Sequence, residues 1–339
     1  MPYKVTVKPS GHELWVEADE TILEAALKEG SCRLPYGCRN GSCSTCMGKV
    51  LSGRIAYGTG IPPAGITPRE VAEGKALFCQ ARPCSDLTIE AREVEGMQDI
   101  VVKTVPCRVI GMHKLAPDVM RLNLKLPASE RLQFLAGQYI AFLLRDGRRR
   151  DFSLANPPHA DDYLEVHVRR VPGGRFTDLV FTELREKAIL RLQGPLGTFF
   201  LRENSEHPIL MIGGGTGFAP LKSMLEHAFY INLNRPIHFY WGARGRQDLY
   251  QNELPEAWME KYSNFQYTPV LSEPDVADHW KGRTGPVHLA VAVDYPDLSG
   301  HDVYMSGPPQ MIEAARSAFA DRGLPNDQLF YDSFDYAPN

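Results

Sequence analysis

The first third of the chain alternates short strand-like patterns with one helical pattern. Thr21 precedes a run of helical periodicity over residues 22–28, and Gly30 follows it, which predicts a capped helix. Alternation of polar and apolar positions predicts strands at residues 3–7, 14–16 and 87–90. Together these elements predict a small α+β region over residues 1–97.

The middle of the chain has a strand-and-turn rhythm with little helical signal. Its predicted strands are residues 107–111, 119–124 and 139–144. Short strands separated by turn signals are typical of an antiparallel barrel, which we predict over residues 98–203. A linker is predicted at residues 96–104, and residues 193–199 are predicted to form a constrained turn.

The pattern changes again at Pro208, where strands and helices begin to alternate. A fully apolar strand is predicted at residues 209–212, a helix at residues 220–230 and a second strand at residues 237–241. This alternation predicts a doubly wound parallel sheet over residues 204–339.

Charge is shared unevenly among the three regions. The 339 residues carry a net charge of -4, with -1, +5 and -8 in the first, middle and last regions. The weak overall charge argues against a nucleic-acid-binding protein, and the basic middle region suits a phosphate-bearing cofactor. No apolar run approaches the roughly 18 residues that a membrane span needs. With a polar start that lacks a signal pattern, we expect a cytoplasmic protein.

Four of the seven cysteines have the spacing of an iron–sulfur site. Cys38, Cys43 and Cys46 form a C-x4-C-x2-C loop, and Cys79 follows at a distance. This spacing predicts a plant-type [2Fe–2S] cluster. The alternatives are a structural zinc site or buried free thiols, although zinc sites usually pair two knuckles and no second knuckle lies near Cys79. The cysteines outside the pattern, expected to be small core residues, are Cys32, Cys84 and Cys107.

Two glycine-rich segments open predicted helices. The first, residues 173–177, precedes a predicted helix at residues 178–184, and the second, residues 213–217, joins a buried strand to the helix that contains Pro220. Glycines that open a helix let backbone N–H groups approach an anion such as a pyrophosphate. The second segment reads G-G-G-T-G-x-A-P and therefore differs from the G-x-G-x-x-G fingerprint.

These motifs together resemble the ferredoxin-NADP reductase superfamily. The resemblance rests on the R-x-F-S segment at residues 150–153, the glycine segments and the S-G-P-P-x-M segment at residues 306–311. The order of regions resembles oxygenase reductases with an N-terminal [2Fe–2S] domain and, more closely, reductases of the CDP-6-deoxy-glucoseen type. It implies a β-grasp ferredoxin domain, an antiparallel flavin-binding barrel and a nucleotide-binding domain, in that order.

The resemblance also implies residue roles. Arg150 would bind the flavin phosphates, Phe152 would stack on the ring where the superfamily has tyrosine, and Ser153 would lie near the hydride-accepting nitrogen. Ser306 stands where the superfamily has cysteine, so Ser153 and Ser306 are the predicted catalytic residues. The other implied cofactor-binding positions are Leu154, His167, Val168, Arg169, Gly174, Phe176, Thr177, Gly215, Thr216, Gly217, Pro220, Arg244, Gly307, Pro308 and Phe334.

The implied function is an NAD(P)H-dependent reductase that passes a hydride to FAD and then single electrons through the cluster to a partner protein, a dehydrase or oxygenase component. Arg244 and Arg246 are able to pair with a 2′-phosphate, yet similar segments occur in NADH-using relatives, so we predict NADH. The alternative is a redox-sensing module that binds the same cofactors without turnover. NAD(P)H-driven reduction of an artificial acceptor separates the two.

Overall fold

The computed structural model describes residues 2–30, 32–97 and 100–334. It divides into two compact units, Met1–Ile100 and Val101–Asn339. The division falls within the linker predicted at residues 96–104, of which residues 98 and 99 lie outside the described residues.

The first unit is a mixed sheet with a capped helix packed on it. Its elements are β1 (Tyr3–Lys8), β2 (Glu13–Val16), α1 (Ile22–Glu29), β3 (Met47–Ser52), β4 (Ile55–Tyr57), α2 (Pro68–Ala72), β5 (Lys75–Leu77), β6 (Ala81–Pro83) and β7 (Leu87–Glu90). The main sheet has the order β2-β1-β7-β3-β5, with β1 parallel to β7. Thr21 and Glu24 form a reciprocal capping box at the start of α1, as the helix prediction required.

The second unit begins with a six-stranded antiparallel barrel. Its elements are β8 (Lys103–Ala116), β9 (Val119–Lys125), β10 (Tyr139–Leu143), β11 (Arg149–Ser153), β12 (Leu164–Arg169), α3 (Arg175–Thr182) and β13 (Ile189–Leu196). The strand order is β11-β10-β13-β8-β9-β12. A bridge between Leu154 and Val166 joins the two outer strands and closes the sheet, which confirms the predicted barrel.

A parallel sheet follows the barrel in the same unit. Its elements are β14 (Ile209–Gly214), α4 (Phe218–Tyr230), β15 (Ile237–Ala243), α5 (Glu253–Lys261), β16 (Phe265–Leu271), β17 (Arg283–Thr284), α6 (Val287–Asp294), β18 (Asp302–Gly307), α7 (Pro309–Ala320) and β19 (Leu329–Ser333). The order β17-β16-β15-β14-β18-β19 reverses direction between β14 and β18. Open parallel sheets bind ligands outside the carboxyl ends of the strands at such a switch point, so we expect the ligand site there.

Three sequence predictions need correction. The helix predicted at residues 178–184 runs instead over Arg175–Thr182, because Gly174 is its N-cap. The turn predicted at residues 193–199 is in part strand, since β13 continues to Leu196 and pairs with β10. Helix α4 begins two residues before Pro220, because proline is tolerated in a first helical turn.

Candidate functional site

The four cysteines of the predicted cluster meet in the first unit because backbone contacts join their two segments. Cys38, Cys43 and Cys46 lie in the loop between α1 and β3, whereas Cys79 lies between β5 and β6. Strands β3 and β5 pair, and the Phe78 N–H donates to the Cys46 carbonyl at 3.1 Å. The sheet therefore brings the fourth cysteine to the loop.

The four sulfurs form two pairs. The Cys38 sulfur interacts with that of Cys43, and the Cys46 sulfur interacts separately with that of Cys79. Within the described chain, no three of these sulfurs lie within 4.8 Å of one another. A tetrahedral zinc ion would hold all four about 3.8 Å apart, given a Zn–S bond of about 2.3 Å. Two separated pairs fit two irons with two cysteine ligands each, and therefore a [2Fe–2S] cluster.

Several donors in the loop point at the sulfurs. The Cys38 N–H donates to Cys43 Sγ, and the Cys43 N–H donates to Cys38 Sγ, both at 3.4 Å. The Ser42 hydroxyl also donates to Cys38 Sγ at 3.4 Å. With the bond from the Cys43 thiol as the largest cause, these contacts lower the pKa of Cys38 to about 5. Such donors stabilise negative charge on the sulfurs and thereby favour the reduced form of a cluster.

The remaining cysteines divide into core and surface. Cys107 is buried in β8, and Cys32 is buried and donates its thiol proton to Glu93 at 2.9 Å. Cys84 is exposed, so the expectation that it is a core residue is wrong.

The R-x-F-S segment forms β11 at the open rim of the barrel. Register with β10 places Phe152 opposite Ile140 and Arg150 opposite Phe142, on the face that carries the barrel core. The Phe152 ring lies 5.7 Å from Phe142 and 5.5 Å from Phe176, between centroids. Phe152 is anchored by these rings and remains half-buried, which leaves part of its surface available for a flavin ring.

The start of α3 offers uncapped backbone donors beside this rim. Gly174 is the N-cap and supplies no side-chain hydrogen bond to the helix. A Cβ on Gly174 would lie 2.7 Å from Thr177 Oγ1, which itself accepts a hydrogen bond from Val171 N–H. The turn therefore requires glycine. The N–H groups of the first helical turn have no side-chain cap among the residues that the structure describes, and they suit a phosphate.

The second glycine segment lies at the switch point between β14 and β18. Gly215–Gly217 form a 3-10 turn that leads into α4. A Cβ on Gly217 would collide with the Ser306 carbonyl oxygen, and one on Gly214 would lie 2.6 Å from Met311 Sδ. Only glycine allows the loop to pack this closely on β18 and α7.

Ser306 lies inside this junction with an unused hydroxyl. Its side chain is fully buried, and its Oγ has no hydrogen-bond partner within the described chain. A buried hydroxyl without a partner costs about 1–3 kcal/mol, so a bound ligand is the natural partner. In the register of the sheet, Ser306 lies between Gly213 and Asp332.

Asp332 lies next to both predicted catalytic serines, although the sequence did not indicate it. The Ser153 hydroxyl of the barrel donates to Asp332 Oδ2 at 3.3 Å, and Asp332 is the strand partner of Ser306. No local signal marked Asp332, because its position depends on how β19 packs beside β18 and the barrel.

Arg169 joins the barrel to the glycine loop. Its Nη1 contacts Asp118 and Asp248, each at 3.2 Å. Its Nε and Nη2 are buried and unpartnered among the described residues, and the guanidinium lies beside Gly215. It borders a cleft of about 730 Å³ whose other lining residues include Arg170 and Arg244. Free guanidinium donors next to a glycine loop fit a pyrophosphate.

Other positions named from the sequence stay predictions. His167 is buried, and its ring nitrogens contact Tyr250 at 3.0 Å and Glu165 at 2.9 Å, while burial lowers its pKa. The N–H of Phe334 donates to the Gly307 carbonyl at 2.9 Å, which places it beside the S-G-P-P segment.

Comparisons with known proteins agree with this architecture. Family models match a 2Fe-2S iron-sulfur cluster binding domain at residues 5–84, an oxidoreductase FAD-binding domain at residues 106–201 and an oxidoreductase NAD-binding domain at residues 211–317.

Full-length relatives share the same order. The CDP-6-deoxy-L-threo-D-glycero-4-hexulose-3-dehydrase reductase of Yersinia pestis is 37% identical over 98% of this chain and 99% of its own. The phenol 2-monooxygenase reductase component DmpP of Pseudomonas sp. (strain CF600) is 36% identical over 98% of this chain and 95% of its own. The crystal structure of the Amycolatopsis cytochrome P450 reductase GcoB matches with a TM-score of 0.79 and 36% identity, and covers 98% of both chains.

Fold and site thus define an oxidoreductase with a [2Fe–2S] cluster, FAD and a nicotinamide nucleotide as cofactors. The chain belongs to the family of ferredoxin-type reductases with the ferredoxin-NADP reductase fold; the relatives named above are reductases of a dehydrase and of a monooxygenase. Among the described residues, no helix has both the length and the apolar character needed to cross a bilayer.

The metal content of the purified protein tests whether the cysteine pairs hold a [2Fe–2S] cluster. Protein purified without oxygen should contain about two irons and two acid-labile sulfides per chain, because the paired sulfurs suit a binuclear cluster. Iron and sulfide assays beside elemental analysis measure this directly. A full complement of zinc with neither iron nor sulfide would contradict it.

If the unpartnered Ser306 hydroxyl contacts the nicotinamide, replacing it should alter hydride transfer to the flavin. Ser306→Cys should change the rate constant of flavin reduction by about fivefold, since a contact of about 1 kcal/mol corresponds to that factor. Stopped-flow absorbance measures the rate, and FAD content should stay unchanged. Ser223→Cys is the matched control, because Ser223 is equally buried but donates to the Asn156 carbonyl. Equal rates in wild type and Ser306→Cys would show that Ser306 does not face the nicotinamide.

Proposed function

We propose that this reductase takes a hydride from NADH and delivers single electrons through its [2Fe–2S] cluster to a partner protein. The observation that carries the proposal is the meeting of Ser153, Asp332 and Ser306 at the switch point, where barrel and nucleotide sheet share one site. The cysteine pairs in the first unit supply the one-electron carrier on the same chain.

The chain's own residues prepare this site. Bound FAD accepts two electrons as a hydride and releases them one at a time, whereas the cluster carries one. Arg169 and the α3 amides hold phosphates, and the Phe152 ring supports the flavin plane. The Ser153 hydroxyl, bonded to Asp332, holds a proton at the side of the site that faces β18. Ser306 offers its hydroxyl to the nicotinamide.

The acceptor class is proposed from the relatives. The Yersinia pestis relative is named as the reductase of a hexulose dehydrase, and DmpP as the reductase component of a phenol monooxygenase. We therefore propose a dehydrase or oxygenase component as the electron acceptor. Because both relatives are named as reductases, we favour a reductase that turns over its substrates instead of a redox-sensing module. Steady-state reduction of an artificial acceptor by NADH tests that choice.

Three domains and a location belong to the same proposal. The limits 1–97, 98–203 and 204–339 are supported by the family matches, each of which lies within one of these ranges. A cytoplasmic location is supported by the cysteine pattern, since an odd number of cysteines with four in cluster spacing is poor material for the disulfide scaffold of a secreted protein.

Nucleotide choice is proposed from the surroundings of the two arginines. Arg246 Nη1 donates to the Asp278 carbonyl at 3.4 Å, and the Glu273 N–H donates to the Arg244 carbonyl at 2.9 Å. These contacts hold an acidic loop, which also contains Asp275, beside the Arg244 backbone and the Arg246 guanidinium. Carboxylates there oppose a 2′-phosphate but accept a ribose hydroxyl, so we propose NADH as the donor.

We accordingly expect kcat/KM for NADH to exceed that for NADPH by at least about tenfold, which corresponds to about 1.4 kcal/mol. Steady-state kinetics with ferricyanide measure both constants on one preparation. Arg244→Ala should weaken both nucleotides to a similar degree, because this arginine serves the shared pyrophosphate cleft. A preference for NADPH that disappears in Arg244→Ala would show instead that Arg244 binds a 2′-phosphate.

Loss of the cluster should abolish the reactions that need the cluster and spare those that need only the flavin. Cys43→Ser replaces a thiolate ligand by a poor one, so the cluster should be lost while flavin reduction by NADH and ferricyanide reduction persist. Reduction of cytochrome c and of the protein acceptor should fall at least about tenfold, because their electrons leave through the cluster. Iron content and both rates are measured on the full-length variant.

Two further variants control this experiment. Cys84→Ser removes an exposed thiol outside the cluster and should leave both rates unchanged. Phe152→Ala removes the ring that supports the flavin and should lower both rates together. A Cys43→Ser protein without iron that still reduces its acceptor at the wild-type rate would disprove the route through the cluster.

A further inference from the structure

A second set of metal-ligating side chains lies in the first unit, outside the cysteine loop. His12, Cys32 and Glu93 each offer one ligand atom, and these atoms all lie within 4.8 Å of one another. They come from three separate segments: the β1–β2 turn, the loop after α1 and the strand exit after β7. None of the three has a role in the flavin, nucleotide or cluster sites.

Glu93 is the centre of the group. Cys32 Sγ donates to Glu93 Oε1 at 2.9 Å, and His12 Nδ1 lies 2.7 Å from Glu93 Oε2. The Ser10 hydroxyl donates to Oε1 at 3.1 Å and orients the carboxylate. Cys32 is buried with 1% exposure, whereas the His12 side chain is 50% exposed. The group thus has a closed side and a side open to solvent.

Backbone hydrogen bonds hold the segments in place independently of these side chains. The Val94 N–H donates to the Arg33 carbonyl at 2.8 Å, which fixes the residue after Glu93 to the residue after Cys32. The Ala91 N–H donates to the Lys8 carbonyl at 3.1 Å, beside the turn that contains His12. The ligand set is therefore preorganised, and it does not rely on the protons that now bridge it.

Electrostatics favours a cation at this point. Burial, followed by the bond to the Glu93 carboxylate, raises the pKa of the Cys32 thiol well above its usual range. A thiolate and a carboxylate cannot lie side by side in a buried site unless a positive charge compensates both. One proton neutralises only one of these two negative groups, whereas one divalent cation neutralises both.

We propose that His12 Nδ1, Cys32 Sγ and the Glu93 carboxylate form a binding site for a zinc ion, with the fourth position open to water on the His12 side. Zinc accepts nitrogen, sulfur and oxygen ligands together in tetrahedral geometry, and this mixed set suits it better than magnesium or calcium. On binding, the Cys32 thiol releases its proton to solvent, and the proton that His12 Nδ1 donates to Glu93 leaves that nitrogen, so that the neutral ring keeps its hydrogen on Nε2. The Cys32–Glu93 and His12–Glu93 hydrogen bonds are replaced by metal bonds to Sγ, Nδ1 and the carboxylate. No electron is transferred.

Such an ion would tie the β1–β2 turn and the loop after α1 to the segment that leaves the first unit. Binding to the folded state alone stabilises a protein by mass action, so zinc should raise the stability of this unit. The effect is independent of electron transfer, which separates this proposal from the reductase function.

Zinc titration of the full-length protein, loaded with FAD and iron, tests the site. We expect one zinc per chain at saturation, with FAD and iron content unchanged. X-ray absorption at the zinc edge should show a single sulfur ligand at about 2.3 Å and nitrogen or oxygen ligands at about 2.0–2.2 Å. The edge is specific to zinc, so flavin and iron do not interfere.

Variants identify the ligands. His12→Ala and Cys32→Ser should each weaken zinc binding at least about tenfold, since even outer-shell partners cost about 10- to 100-fold in metal affinity. His12 is exposed, so its variant should fold even if Cys32→Ser does not. The matched controls are His113→Ala and Cys84→Ser, both exposed and outside the group, and they should bind as wild type.

Three results would overturn the proposal. They are a wild type that binds no zinc, a His12→Ala protein with wild-type affinity, and a zinc environment of several sulfurs with loss of iron. The last result would place the zinc at the cluster cysteines.

Discussion

The second unit depends on one close approach of backbone, where the glycine loop after β14 packs against β18. Gly217 lies so near the Ser306 carbonyl that a single added carbon would separate the strand from the loop. This approach buries Ser306, sets the start of α4 and brings Arg169 of the barrel beside Gly215. Because barrel and sheet meet here, we propose that a flavin held by one and a nucleotide held by the other share one site.

At that meeting point the positive charge of Arg169 is paired with two aspartates, but only part of its hydrogen-bonding capacity is used. Asp118 and Asp248 hold one nitrogen of Arg169, while its two other nitrogens stay buried without partners in the described chain. A guanidinium arranged in this way is fixed in position before any ligand arrives, so little ordering cost remains for binding. The first unit uses the same principle with neutral donors, since backbone amides and Ser42 point at the sulfurs.

Much of this architecture was readable from local sequence. Each of these signals lies in residues that are adjacent in the sequence: the Thr21 cap, the fully apolar β14 and the glycines that open α3 and α4. The cysteine spacing predicted the cofactor because three ligands of a compact cluster must come from one loop. The three-domain order followed from the change in hydrophobic period along the chain.

What the sequence could not show depends on register between distant segments. Asp332 contacts Ser153 only because β19 lies beside β18 and the barrel rim. The approach of Cys79 to Cys46, which completes the two cysteine pairs and argues against zinc, follows from the pairing of β3 with β5. The exposure of Cys84 is likewise set by where its segment falls on the folded surface, a property that composition does not encode.

Electrons from NADH are proposed to enter the protein through the flavin alone, and rapid mixing of full-length protein with NADH tests this most directly. Flavin bleaching, followed by stopped-flow absorbance, should precede the EPR signal of the reduced cluster in freeze-quenched samples. In protein stripped of FAD but with its iron intact, NADH should produce no cluster signal, and added FAD should restore it. A cluster reduced by NADH in the flavin-free protein, at a rate near that of the complete protein, would contradict entry through the flavin alone.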